Sequence, residues 1–397
     1  MKYIVKHKKI AFLLVLFSII SCVDPYQLES SNFEDAIVVE ATITNELKKQ
    51  EIKISRTYRF EENGPSFESG ANVYVEDDLG TTYTFEELNG KYFSTEEFQA
   101  LPQRKYELNI TTSNGRSYIS TQEALTTVSP ITDVSAVVTT QDGQRGVELR
   151  VNSFDPTATS KYYRYEYEET YKIISPSWKA IDVNYSPAPT DEFYQTPRDP
   201  NTRICYSTDK SENIILTSTT SLSEDRVQDF PVRFISDQNY IISHRYSILV
   251  RQYVQNLAAF TFYETLKKLS TSESILSQTQ PGFLMGNIRS TTESSEKVIG
   301  FFDVATVSSN RIYFNYADLF PGEPLPPFAV ECTISTFDEN DFGGPGRFGE
   351  RNYLREYIAN GELVYFNYED PIYSMVPTPC GDCTSFSSNV VPSFWEE

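Results

Sequence analysis

Between residues 37 and 120 apolar and polar side chains alternate in short runs, at 37–43, 51–55, 72–76, 81–85, 91–94, 105–111 and 117–120. In Ala71-Asn72-Val73-Tyr74-Val75, in Thr81-Thr82-Tyr83-Thr84-Phe85, and again at Tyr106, Leu108 and Ile110, the apolar residues fall on every second position. That is the period of a strand with one buried and one wet face. Turn chemistry separates the runs: Asp77-Asp78-Leu79-Gly80, Asn89-Gly90 and Ser113-Asn114-Gly115. Seven strands at this spacing predict a β-sandwich, which we bound at residues 36–125.

A second β-rich unit begins near residue 130. Val147-Glu148-Leu149-Arg150-Val151 alternates before the turn Ser153-Phe154-Asp155-Pro156, and 162–174 and 240–253 read as long, Tyr-containing strands. Between them Pro187, Pro189, Pro197 and Pro200 argue against regular ladders and predict a surface loop or flap over 185–203. Leu257, Phe260, Tyr263 and Leu266 recur at helical spacing and predict a helix over 256–269. Two further strands, at 298–304 and 311–316, complete a unit spanning 130–320. Beyond it, acidic Pro/Gly loops, a short helix at 351–359 stopped by Asn360-Gly361, and a cysteine-bearing tail predict a strap over 321–397. Such a strap has no core of its own and lies across the second unit. The expected fold class is mainly β: an N-terminal immunoglobulin- or prealbumin-like sandwich, a larger fibronectin-like β unit with one or two short helices, and a C-terminal strap.

The start of the chain departs from this alternation. Lys2, Lys6, Lys8 and Lys9 precede an apolar run over 10–20, closed by Ile19-Ile20-Ser21-Cys22. The run is shorter than the roughly 20 residues a transmembrane helix needs, so 1–21 reads as a cleaved signal. An ordinary signal peptidase site has small residues at −3 and −1, whereas Ile19 is bulky and only Ser21 is small. That combination fits a bacterial lipobox. Cys22 is then the lipidated first residue of the mature chain, and 22–35 its tether. Each buried acyl CH2 contributes roughly 0.8 kcal/mol, so several chains hold the protein to the membrane permanently.

Charge narrows the partners. Without the four signal lysines, 30 basic residues stand against 55 acidic ones and the formal charge moves from −21 to −25, which argues against nucleic acid or an anionic lipid surface. With Cys22 lipidated, Cys205, Cys332, Cys380 and Cys383 remain. An even number in an oxidising compartment predicts disulfides, with three connectivities open. One C-x-x-C and two isolated cysteines do not make a zinc pattern, and Cys380-Gly381-Asp382-Cys383 does not open a helix as a redox motif does. Only His7 and His244 are present, and His7 leaves with the signal. His-pair metal sites are thereby excluded, and a Ser-His or Cys-His centre would have to use His244. Asp338-Glu339-Asn340-Asp341-Phe342-Gly343 has a calcium-loop spacing, but Gly349 stands where the bidentate Glu belongs, so it reads as a solvated acidic turn. No metal and no cofactor is expected.

Several segments together resemble a known family. They are the lipobox followed by Asp24-Pro25-Tyr26, Ile37-Val38-Val39-Glu40, Gly70-Ala71-Asn72-Val73-Tyr74-Val75, Tyr246-Ser247-Ile248-Leu249-Val250-Arg251-Gln252-Tyr253, Gly286-Asn287-Ile288, and Cys380-Gly381-Asp382-Cys383 through Pro392-Ser393-Phe394-Trp395. Over essentially the whole chain they are similar to the Bacteroidota lipoprotein family called domain of unknown function 4249. The resemblance implies an outer-membrane lipoprotein encoded near TonB-dependent receptors, with no catalytic residues to carry over, and it makes Asp24 a candidate surface-export signal. We therefore expect a lipid-anchored protein facing the cell exterior that serves, without catalysis, as a binding accessory of a TonB-dependent transporter. A structural or adhesion role in a cell-surface assembly is the alternative, and a carboxylate-dependent hydrolase a weaker one. For the contact surface, pleat geometry leaves half of the Tyr-rich strand exposed, which singles out Tyr163, Tyr165, Trp178 and Tyr185 beside the Pro-rich segment.

Overall fold

The computed structural model describes residues 35–58, 64–271, 284 and 286–397; the signal, Cys22 and Asp24 lie outside them. The seven N-terminal strands form where the alternation places them: Ile37–Thr44, Glu51–Arg56, Asn72–Asp77, Thr82–Leu88, Lys91–Ser94, Lys105–Thr111 and Ser117–Ser120. Ile37, Val39, Ala41 and Ile43 meet Ile52, Ile54, Val73, Val75, Leu108 and Ile110 in one core. Each Val, Leu or Ile among them contributes roughly 1.5–3 kcal/mol on burial. A one-residue slip would turn the whole set to water, so the register is firmly specified.

Two later segments complete this unit. Ile288–Ser290 pairs with Ser117–Ser120 at one end of the sheet, and the first half of the 18-residue strand Val298–Asn315 pairs parallel with Ile37–Thr44 at the other. The expectation of separate strands at 298–304 and 311–316 is corrected here, because a single strand runs through both units. Its second half pairs antiparallel with Arg245–Gln255. The polar Ser308-Ser309-Asn310 stays in that ladder, and Ser308 Oγ accepts the Ile131 N–H at 2.9 Å.

The second unit is a three-on-four sandwich, as the fibronectin-like expectation requires. Arg226–Ser236, Gln144–Phe154 and Ile131–Gln141 form one layer. Ile204–Lys210, Tyr162–Ile174, Arg245–Gln255 and the end of Val298–Asn315 form the other. Val147, Leu149, Val151, Ile248, Val250 and Phe314 interdigitate between them. Outside the four-stranded layer lies the expected helix, Leu257–Thr271, with Phe260 5.0 Å from Tyr162 and Phe262 5.6 Å from Phe301. Among the described residues no helix is long and apolar enough to cross a membrane.

The C-terminal region differs from a coreless strap. Ser335–Asp338, Ile372–Pro377 and Leu363–Glu369 make a three-stranded sheet, backed by the helix Glu350–Asn360 that ends at Gly361. What the strap reading lacked was a partner from earlier in the chain. The Pro-rich segment supplies it as a hairpin, Ile181–Ser186 against Glu192–Pro197, and its Val183 joins Phe337, Leu354, Tyr365, Tyr373 and Met375 in a separate core. A ladder is possible there because Pro187 and Pro189 sit in the turn, Pro197 at the ladder's end and Pro200 in a 3-10 turn, so none interrupts its interior.

Candidate functional site

Both members of the C-x-x-C are bonded, each to a different partner: Cys380 to Cys332 and Cys383 to Cys205. All four disulfide candidates are thus used: Cys205–Cys383 rivets the C-terminal region to the second unit, and Cys332–Cys380 closes a loop within that region. Arg198 reinforces the joint by donating to the Gly381 carbonyl at 3.0 Å while pairing with Asp182 at 2.9 Å. Closing loops of 178 and 48 residues removes roughly 5 and 4 kcal/mol of unfolded-chain entropy. Whatever the third unit presents is therefore held in fixed relation to the sandwich.

It presents aromatic rings. Phe342, Phe348 and Tyr353 are 62%, 49% and 43% exposed, around the turn Gly343-Gly344-Pro345-Gly346 and the first turns of the helix. Phe348 and Tyr353 stack edge to face with ring centroids 4.8 Å apart. Arginines interleave: Arg351 lies 5.0 Å from the Phe342 ring and 4.9 Å from Phe193, and Arg355 lies 5.5 Å from Tyr185. Arg351 also ties the helix to the hairpin by donating to the Asp191 carbonyl. Aromatic and arginine side chains are the types enriched where proteins contact one another, because they bring large area with few rotamers to lose.

The acidic turn beneath this surface is occupied by its own backbone. Asp341 accepts the Gly343 N–H at 3.0 Å and the Glu350 N–H at 3.3 Å and pairs with Arg347. The Gly343 and Glu350 amides, helped by Arg347, hold its carboxyl below the usual aspartate range. Asp341 thus fixes the loop that displays Phe342 and Phe348.

Of the four residues singled out for contact, the structure brings only Tyr185 to this surface, where its ring lies 5.4 Å from Phe193. Trp178 is half-buried at the disulfide joint, its indole N–H donating to Thr202 Oγ1 at 3.1 Å. Tyr163 and Tyr165 are corrected. They are 0% and 1% exposed and belong to the sandwich core. Tyr163 Oη donates to the Asp225 carboxylate at 2.8 Å, and Tyr165 Oη to Gln252 Oε1 at 2.8 Å. The pleat does alternate there, but the opposite face is covered as well. Arg164, between them, is packed under the helix with its guanidinium 4.3 Å from the Tyr253 ring and 4.7 Å from Tyr263.

A carboxylate whose pKa is raised lies in that covered layer. Asp303 is fully buried where the long strand passes between the two units, and burial pushes its pKa up to about 6 against the opposing pull of Arg164 and a 3.1 Å bond from Gln255 Nε2. Arg164 keeps its charge although burial disfavours it, because Tyr263, Glu166, Tyr253 and Asp303 surround it. A raised carboxyl in an open cleft would suggest acid-base chemistry, but Asp303 is sealed from solvent. It shapes the seam between units.

The sequence profile of the family described as Domain of unknown function (DUF4249) matches residues 23–311. The chain belongs to that family. The match covers both sandwiches and ends within the long strand, so Phe342, Phe348 and Tyr353 lie beyond it, whereas Tyr185 and Phe193 lie within it. No curated protein matches. Among solved structures the chain is similar to one described as "Biofilm associated protein - BSP domain", at 8% identity and a TM-score of 0.16 over 87% of this chain and 77% of that one, a likeness too slight to carry an argument.

Proposed function

We propose that this protein is an outer-membrane lipoprotein that works by contact, as a non-enzymatic binding accessory of a TonB-dependent transporter. Acyl chains on Cys22 hold it to the membrane, and Asp24 directs it to the outer face. The lipobox and the gene neighbourhood implied by the family resemblance support the address. One structural observation supports the mode of action: Phe342, Phe348 and Tyr353 stay exposed on a unit that has its own core, is braced by one disulfide and is fastened to the sandwich by another. Leaving the exposed half of three such rings in water forgoes roughly 1 kcal/mol apiece, which a partner covering them recovers.

The test is co-purification of the lipidated full chain from detergent-solubilised membranes. A β-barrel transporter recovered in stoichiometric amount, and lost from the Phe348→Ala/Tyr353→Ala chain, is the expected result. Recovery without any barrel protein overturns the reading, and other surface proteins in its place would favour an adhesion or assembly role.

A further inference from the structure

A second surface lies on the fibronectin-like unit, far along the chain from the aromatic rings of the third. In the four-stranded layer Tyr171, Ile173, Cys205, Tyr246, Ile248 and Phe314 point into the core. The alternate residues Lys172, Tyr206, Arg245, Arg311 and Tyr313 therefore share the outer face. The register sets them side by side, with Lys172 opposite Tyr206, Arg245 opposite Asn315 and Ser247 opposite Tyr313. Three cations and two tyrosines share this face in a chain of formal charge −21, with one carboxylate, Glu168, 3.4 Å from Arg311.

The chain's own residues 394–397 are seated on this face. The Arg311 guanidinium lies 3.6 Å from the Phe394 ring centroid, and Tyr313 Oη donates to the Phe394 carbonyl at 2.5 Å. Trp395 packs edge-on against Tyr206 at 5.0 Å and Tyr313 at 6.2 Å. Arg245 donates to the Glu396 carbonyl, and Lys172 Nζ meets both Glu397 carboxylate oxygens at 2.8 and 2.9 Å. Aromatic rings thus sit on cations and tyrosines, and a carboxylate sits on a lysine.

This segment is fastened by side chains and little else. After Cys383, whose disulfide anchors it, the backbone makes one bridge to the sheet, between Ser388 and Tyr206, and no strand or helix follows. Residues beyond the bridge can leave without breaking a ladder or opening the core. The Lys172–Glu397 pair is largely solvated on the carboxylate side and holds weakly.

We propose that the face formed by Lys172, Tyr206, Arg245, Arg311 and Tyr313 is a peptide-binding site, that residues 394–397 are its resident occupant, and that a partner protein's segment with aromatic residues followed by carboxylates displaces them. The inference goes beyond the capture role and uses none of the residues on which that role rests, so either can fail alone.

The probe is a fluorescently labelled Pro-Ser-Phe-Trp-Glu-Glu peptide, titrated into the full chain and followed by anisotropy. The Phe394→Ala/Trp395→Ala chain is expected to bind it at least tenfold more tightly than the wild type, and Arg311→Ala added to that chain is expected to abolish the gain. A double variant that melts like the wild type yet binds no better overturns the proposal. A second measurement needs no vacated face: in the Trp178→Phe chain Trp395 is the sole tryptophan, and a saturating unlabelled Pro-Ser-Phe-Phe-Glu-Glu peptide, which has no tryptophan of its own, should shift its emission to the red. An unchanged emission under saturation also overturns it. Concentration-dependent self-association that requires Trp395 would assign the face to a second copy and overturn the partner reading.

Discussion

Asn287 pairs with Phe302 as a strand would: its Oδ1 accepts the Phe302 N–H at 2.8 Å and its Nδ2 donates to the Phe302 carbonyl at 2.9 Å. The two residues belong to opposite ends of the N-terminal sheet, so one side-chain amide closes it. The same Nδ2 donates to Glu123 at 3.0 Å, and Glu123 also accepts from Asn256 at 2.7 Å, whose own Oδ1 accepts the Ala259 N–H near the start of the helix. The closure, the link between units and the helix start thus share one network.

Asn287→Ala should cost about 3 kcal/mol, because it strands a buried N–H and C=O of Phe302 and leaves Glu123 with one donor fewer. Urea denaturation measures it. The neighbouring Gly286 is stricter. A Cβ there would stand 1.5 Å from the Gly300 carbonyl oxygen, a backbone atom that cannot swing aside. Gly286→Ala is expected to give no native transition at all, whereas a variant that melts normally would show that the sheet is not closed in this way.

Exposed rings and buried ones should answer differently to mutation. Phe348→Ala/Tyr353→Ala should leave the melting curve within about 0.5 kcal/mol of wild type while weakening partner recovery by tenfold or more. Tyr163→Phe should do the reverse. It removes the hydroxyl that donates to Asp225 and costs about 1–3 kcal/mol in thermal melting, with partner recovery unchanged.

That contrast marks how far the sequence could be read. A strand with one covered face advertises itself by alternation, and the seven N-terminal strands were legible on that ground, as the helix at Leu257–Thr271 was from its helical spacing; of the second sandwich, Ile131–Gln141, Ile204–Lys210 and Arg226–Ser236 were not read from the sequence. Alternation says which residues share a face but not whether a helix covers the second one, so Tyr163 and Tyr165 looked available. The third unit was illegible for another reason. Its core joins Val183 to Phe337 and Met375, contacts between segments far apart in the chain that no local pattern encodes. Phe342 and Phe348 did leave a signal: large aromatics flanking a Gly-Gly-Pro-Gly turn have no strand period to bury them.

Cutting either disulfide should separate the two clamps. Cys332→Ser/Cys380→Ser is expected to lower stability by about 2–5 kcal/mol and to loosen the third unit from within, so that hydrogen exchange quickens first in Ser335–Asp338 and Ile372–Pro377. Cys205→Ser/Cys383→Ser should instead quicken exchange in Ile204–Lys210 and around Tyr206. Proteolysis without reductant, followed by mass spectrometry, should yield peptides linking 205 to 383 and 332 to 380; a peptide cross-linked within the C-x-x-C would contradict the pairing.

Asp303 sets a pH dependence of unusual sign. Its folded pKa of about 6 lies above the roughly 3.9 of an unfolded aspartate, so between those values the folded chain holds a proton that the unfolded chain has lost. The associated stability is complete below pH ~4, declines as pH rises through ~6, and at neutral pH leaves a penalty of roughly 3 kcal/mol for the buried charge. Asp77, Glu46 and Glu296, whose pKa values are lowered by amide, hydroxyl or cationic partners that outweigh burial, act in the opposite sense and lose their contribution as pH falls. The raw stability curve mixes both kinds, so the informative quantity is the difference between Asp303→Asn and wild type. The amide needs no charge, and its oxygen can still accept from Gln255 Nε2. The variant should therefore match wild type near pH 4 and exceed it by an increasing margin up to about pH 7, measured by urea denaturation at fixed ionic strength. A difference that stays flat across that range would mean that Asp303 titrates as an ordinary carboxylate and that the seam is open to water.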